Sequence, residues 1–234
     1  MRNQFVSYEY PLRDVLPTPE QADAYLHIDD PEHPAHSFML TKMEELRNAN
    51  LAAVGGYRIL AVDHLNIRQG EMRIGGMTLF MDRQVCGYMR GATHVALFLC
   101  TAGAVFSTQY RDYSKAGDYL EAFITDALGS LTVEKAMDRV QSALQKDMQA
   151  ASLGISNRYS PGYCNWPLTG QQDLFLLAGS NPTGISLSES CLMYPAKSVS
   201  GIIGIGPHMK RREYGCAICS NKNCIYRRIV QNDK

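Results

Sequence analysis

Apolar residues recur at helical spacing over the middle of the chain. Leu120, Phe123, Ile124, Ala127, Leu128 and Leu131 form one stripe, and Met137, Val140, Leu144 and Met148 continue it after a phase shift near Gly129. This is the longest helical region the pattern predicts. Two shorter helices are expected before it. Thr18-Pro19 supplies an N-cap with proline in the first turn, ahead of a helix over Glu20 to His27, and Pro31 and Pro34 separate that helix from one over Ala35 to Ala49. β-branched and aromatic runs predict strands at Tyr57–Ile67, Met77–Met81 and Val95–Cys100, with a short helix capped by Asp82 between the last two. Thr169 and Gln172 have the spacing of a capping box before a helix that Gly179 stops. Short β-like runs follow at Ile185–Leu187, Val199–Ile205 and Tyr214–Cys219. Strands and helices mix without regular βαβ alternation, so the expected class is α+β: a mixed, largely antiparallel twisted sheet with flanking helices. The expected organisation is an N-terminal arm with helices over 1–54, then one domain over 55–234.

At 234 residues and 45% hydrophobic content, the chain can bury one substantial core. Lys plus Arg and Asp plus Glu both number 23, which leaves no basic field to hold a nucleic acid by counterion release. The first ten residues lack the apolar run of a signal peptide, and no stretch is apolar and long enough to cross a bilayer. A cytoplasmic location with no membrane partner is expected. Seven cysteines, three of them in the last twenty residues, suit thiols or metal ligands better than a disulfide framework.

Two clusters carry candidate chemistry. Arg158-Tyr159-Ser160-Pro161-Gly162-Tyr163 combines a guanidinium fork suited to a carboxylate with a proline–glycine loop that lets backbone approach a ligand. Its ordinary alternative is a structural turn with a surface arginine. Ser188-Glu189-Ser190-Cys191-Leu192-Met193-Tyr194-Pro195, then Lys197-Ser198-Val199-Ser200-Gly201, offers an acid for an ammonium group and small residues beside a flat ring, or ordinary turn chemistry. Taken in order, Arg158-x-x-Pro161-Gly162-Tyr163, Ser188-Glu189-Ser190, Met193-x-Pro195 and Ser198-Val199-Ser200-Gly201 resemble the reactivation (activation) domain of cobalamin-dependent methionine synthase. Thr101-Ala102-Gly103 and, on the long helix, Asp126, Glu134, Arg139 and Val140 extend the likeness, which runs from about Tyr57 to Gly206.

The resemblance implies binding of S-adenosylmethionine beside a cobalamin carried by a methionine synthase or another corrinoid protein, with electrons from a reductase. It assigns the ligand to Arg158, Pro161, Gly162, Tyr163, Glu189, Ser190 and Glu134, and to Tyr214 and Gly215, where the family's last ligand-contacting strand falls. Arg158 would hold the methionyl carboxylate, Tyr163 would lie near the sulfonium, and Glu189 or Glu134 would take the ammonium. The chain departs from the family where Cys164-Asn165-Trp166-Pro167 follows Tyr163 and where Ser130 stands at an acidic position. It also lacks the carrier signature Asp-x-His-x-x-Gly, so cobalamin would reside on the partner. Cys216, Cys219 and Cys224 have spacing compatible with zinc or an iron–sulfur cluster, with Cys164 or Cys191 as a fourth ligand; free thiols are the alternative. A metal- or redox-active cysteine protein and a non-enzymatic adapter of a corrinoid system are the competing readings. His33 and His36 read as solvated histidines, and Met137 and Met148 as core.

Overall fold

The computed structural model describes residues 4–211. Tyr214, Gly215 and the cysteines 216, 219 and 224 lie outside the described residues. The element order is β1 (Val6–Pro11), α1 (Leu12–Val15), α2 (Pro19–Leu26), α3 (Pro34–Asn48), β2 (Ala52–Asn66), β3 (Glu71–Ile74), β4 (Met77–Phe80), α4 (Arg83–Tyr88), β5 (His94–Thr101), α5 (Val105–Ala116), α6 (Tyr119–Ala150), β6 (Gly154–Tyr159), α7 (Gly170–Ala178), β7 (Ser186–Leu187), β8 (Met193–Tyr194) and β9 (Ser198–Gly206). Seven strands form one sheet, ordered β4-β3-β2-β5-β9-β6 with β1 alongside β2, and β7 and β8 pair separately. Every pairing is antiparallel, so the architecture is the α+β one expected from the sequence.

The central strands are apolar on both faces because both faces are covered. On β5, Ala96, Phe98 and Cys100 point into a core shared with α1, α2, α3 and α6, where Met39, Met43, Val140 and Leu144 are buried. Val95, Leu97 and Leu99 point the other way, into a core with Val85 and Cys86 of α4, Leu174 and Leu177 of α7, and Trp166. The N-terminal segment belongs to the first of these cores, with β1 registered on β2 from Val6↔Tyr57 to Pro11↔Ala52.

Local signals explain the helix starts. The Thr18 hydroxyl accepts from the Gln21 N–H while Gln21 Oε1 accepts from the Thr18 N–H, closing a capping box. Asp82 caps α4 by accepting from Gln84 N–H at 2.8 Å. His33 caps α3 through Nδ1, and His36 lies 2.9 Å from Asp23 at 19% exposure, so His36 is held in a half-buried pair rather than solvated. The capping box expected at Thr169 and Gln172 does not form. Thr169 is already helical in conformation, and its side chain makes no cap bond. The phase shift near Gly129 interrupts nothing: α6 runs unbroken for 32 residues, with Ile124, Leu128, Met137, Val140 and Leu144 in one core, while Leu120 and Phe123 of the expected stripe are exposed.

Candidate functional site

Strand β6 is the end strand of the sheet in the described residues, registered on β9 with Arg158↔Ile203 and Tyr159↔Ile202. Alternation along a strand sends those two side chains to opposite faces. Tyr159 stacks on Tyr88 of α4 with ring centroids 5.3 Å apart, while Arg158 faces α6. There its Nη2 lies 3.2 Å from Glu134 Oε2 and 3.1 Å from Asp138 Oδ1. Arg158 is largely covered, and its Nη1 is buried without a hydrogen-bond partner among the described residues. The two carboxylates are more than half exposed. Partial desolvation in this cleft raises the Glu134 pKa above the usual glutamate value; the charge of Asp138 adds to that and Arg158 opposes it. Beneath them the Cys100 thiol packs against Gly55 and Val140, where any Cβ on Gly55 would meet its sulfur at 2.6 Å; burial and the charge of Glu134 push that thiol up to about 12.

After β6 the chain turns tightly. Gly162 N–H donates to Trp166 O at 2.8 Å, and Trp166 N–H to Tyr163 O at 2.9 Å. Gly162 has φ 90°, and Cys164 and Asn165 take left-handed values of 52° and 60°. The Cys164-Asn165 departure thus closes the loop and drops Trp166 into the core, under Gly170, where a Cβ would strike the indole Nε1 at 2.4 Å. Pro161 is buried, and Tyr163 stands out at 72% exposure. Gly201 of β9 makes the turn possible, because a Cβ there would sit 2.3 Å from the Tyr159 carbonyl oxygen.

Ser188, Glu189 and Ser190 form the turn between β7 and β8. Ser188 N–H donates to Leu192 O, Leu192 N–H donates to Ser188 Oγ, and the Ser188 and Ser190 hydroxyls lie 2.9 Å apart. Glu189 is exposed and makes no ion pair among the described residues. Of the residues singled out in the sequence, then, Arg158 and Glu134 are brought into direct contact, and Glu189 is not joined to them.

Asp138 escaped the sequence reading, and Lys197 was given no role in it. Asp138 is the second partner of Arg158. Lys197, just before β9, reaches Asp126 Oδ1 at 2.7 Å and Ser130 Oγ at 2.9 Å. Asp126, Ser130, Glu134 and Asp138 recur every four residues, which places them in one row along α6. That polar period inside an apolar helix was the available signal. Among the described residues no group of three or more His, Cys, Asp or Glu is placed to hold a metal, and no helix is long and apolar enough to cross a membrane.

A seven-stranded antiparallel sheet with a long helix across one face has a counterpart among solved structures. A crystal structure of the MetH reactivation domain bound to AdoHcy superposes with a TM-score of 0.57 at 15% identity, covering 90% of this chain and 81% of that one. That likeness establishes the fold. The sequence model of the vitamin B12 dependent methionine synthase activation domain matches residues 80–227, more than half of the chain, and the chain belongs to this family. A search of curated proteins returned no match.

Proposed function

We propose that the chain binds S-adenosylmethionine in the cleft between α6 and the β6–β9 edge, and docks on a cobalamin-carrying methionine synthase or other corrinoid protein to support its reactivation. Family membership supports the class of activity, and the solved relative of the same fold is titled as bound to AdoHcy. The observation that carries the reading to residues is the charge arrangement at Arg158. A zwitterionic amino-acid ligand needs a fixed cation for its carboxylate and a fixed anion for its ammonium a few ångströms away. Arg158 between Glu134 and Asp138 supplies both, with one acid in excess. The buried, unpartnered Nη1 marks an unmet hydrogen-bond demand, and such a group costs about 1–3 kcal/mol until something satisfies it.

When bound, S-adenosylmethionine supplies a sulfonium methyl group for transfer to the reduced cobalt of the partner's cobalamin, after a separate reductase has delivered an electron. The chain itself orients. Arg158 is fixed through two ion pairs, so its guanidinium is preorganised for a carboxylate. Tyr163, exposed in the loop that follows Arg158, is available as an aromatic face for a cation. No acid or base is required, because an in-line methyl transfer draws its rate from proximity and alignment.

Calorimetric titration with S-adenosylmethionine tests this. Binding in the micromolar range, about 8 kcal/mol, is expected. Arg158→Ala should weaken it at least tenfold, and Arg158→Lys should rescue it only in part, because a point charge replaces a fork. Saturating ligand that gives no binding signal with the parent protein, free or with its corrinoid partner, overturns the reading.

A further inference from the structure

The first turns of α6 carry apolar side chains that the fold does not cover. Leu120 and Phe123 are 44% and 58% exposed, and Tyr119 beside them is 73% exposed. Single exposed apolar residues are ordinary, whereas a contiguous group beside a groove marks an interaction surface. Together with Leu26, Ile28, Ala35 and Ile124, Leu120 and Phe123 line a groove of about 290 Å³ between α6 and the α2–α3 connection. Asp29 and Asp30, both exposed, stand in its wall, and Asp118 and Glu121 flank Leu120 in sequence. None of these four carboxylates is in an ion pair among the described residues. An apolar trough with unpaired carboxylates at its rim fits a segment that is apolar and basic at once. It does not fit the same face of a second copy, where carboxylate would meet carboxylate.

The sequence holds such a segment. Beyond the described residues, Lys222, Arg227, Arg228 and Lys234 are interleaved with Ile225, Tyr226, Ile229 and Val230, and Asp233 is the one acid among residues 222–234. Reach decides whose segment it is. Met209, near the end of the described chain, packs against Gly154, just past the C-terminal end of α6. The groove lies at the other end of that helix, roughly 40 Å away at 1.5 Å per residue. From Arg211 to Arg227 the chain spans roughly 55 Å only when fully extended, so its own segment reaches its own groove only along an almost straight path. A second copy is free of that constraint. We propose that this groove is a self-association site that takes the basic, apolar segment 222–234 of a second copy of the chain. Leu120 and Phe123 pack on its apolar residues, and Asp29 and Asp30 pair with Arg227 and Arg228. Each copy contributes one groove and one segment, so two copies close a symmetric pair. The site is separate from the Arg158 cleft and does not depend on the ligand proposed there.

Sedimentation velocity of the full chain, across the micromolar range, tests this. The parent should form a dimer that dissociates as salt is raised, because its charge pairs lie at the surface. Asp29→Lys with Asp30→Lys and, in a second protein, Arg227→Glu with Arg228→Glu should each weaken the dimer at least about tenfold, since like charges then face each other. Mixing the two proteins should restore association, because each groove then meets a segment of opposite charge. Phe123→Ser should weaken the parent dimer without removing its salt dependence, and melting curves confirm that each variant is folded. A parent that stays monomeric overturns the proposal, and capture of the segment by its own chain gives that result. Charge-reversed variants that associate as the parent does overturn it too, since the copies then meet through another face. So does a mixture that fails to associate while both variants melt as the parent does.

Discussion

Alanine at Gly201 is a single methyl placed against backbone. The new Cβ would lie 2.3 Å from the Tyr159 carbonyl oxygen, 2.8 Å from the Phe98 ring and 2.8 Å from Ser160 Oγ. Gly201 does not have a positive φ, so the penalty is steric and not conformational. Phe98 is fully buried and Tyr159 sits in the β6–β9 ladder, so neither can swing aside without moving β6 away from β9. Overpacking of this kind costs about 1–3 kcal/mol, which for a chain of this size lowers the melting temperature by roughly 2–12 °C. Because Arg158 precedes the displaced carbonyl by one residue, affinity for S-adenosylmethionine should fall several-fold as well. Gly87→Ala in α4 is the control, since a Cβ there meets nothing within 4 Å, and alanine in a helix should stabilise by roughly 0.5–1 kcal/mol. Thermal melts and calorimetry of the two variants decide the matter. If Gly201→Ala melts and binds as the parent does, the close crossing of the loop over β9 is not what fixes Arg158.

Further outcomes follow from the same cleft. The raised pKa of Glu134 means that its anion is lost at a higher pH than for an ordinary glutamate, so S-adenosylmethionine affinity should begin to weaken earlier on acidification. Glu134→Gln should be weaker throughout and lack that dependence; identical pH profiles would remove Glu134 from the site. A raised carboxyl opposes folding above its folded-state pKa and is relieved as pH falls through it, so Glu134→Gln should melt no lower than the parent at neutral pH. Of the four described cysteines, Cys86 and Cys100 are buried with thiols pushed up to about 11 and about 12, so alkylation at pH 8 should label the half-buried Cys164 well ahead of them, as read by peptide mass. Rapid labelling of Cys100 would contradict its packing under Gly55. Chelation tests the cysteines outside the described residues: a loss of S-adenosylmethionine affinity would tie Cys216, Cys219 and Cys224 to the site, and unchanged affinity would separate them from it.

Local signals made much of the fold legible. The Thr18 N-cap, Asp82 and the prolines at 19 and 34 fix helix starts within a few residues, and the apolar runs of β5 and β9 are strands because both faces are buried. What stayed hidden depends on contacts remote in sequence. No strand is expected over residues 154–159 from their own pattern, yet β6 is a strand because β9, nearly fifty residues later, supplies its ladder. Asp138 and Lys197 carried no local mark of function, since each acquires its role from a partner across the α6–sheet interface. The proline–glycine loop was legible as rigid, but its depth was not. Only the approach of Gly170 to Trp166 explains why a tryptophan follows two left-handed residues.

Two surface depressions, of about 290 and 680 Å³, lie along α2, α3 and the start of α6, and neither includes Arg158, Tyr163 or Lys197. An enzyme that completes its own chemistry gains by enclosing the reacting atoms and excluding water. A methyl donor whose acceptor is a cobalt on another protein has the opposite requirement, since the methyl must remain approachable from outside while the rest of the ligand is held still. Under the proposed function, Arg158 between Glu134 and Asp138 would hold the amino-acid end of the ligand and leave the methyl open. On the same reading, water would be excluded only when the partner docks, and transfer would be confined to the complex.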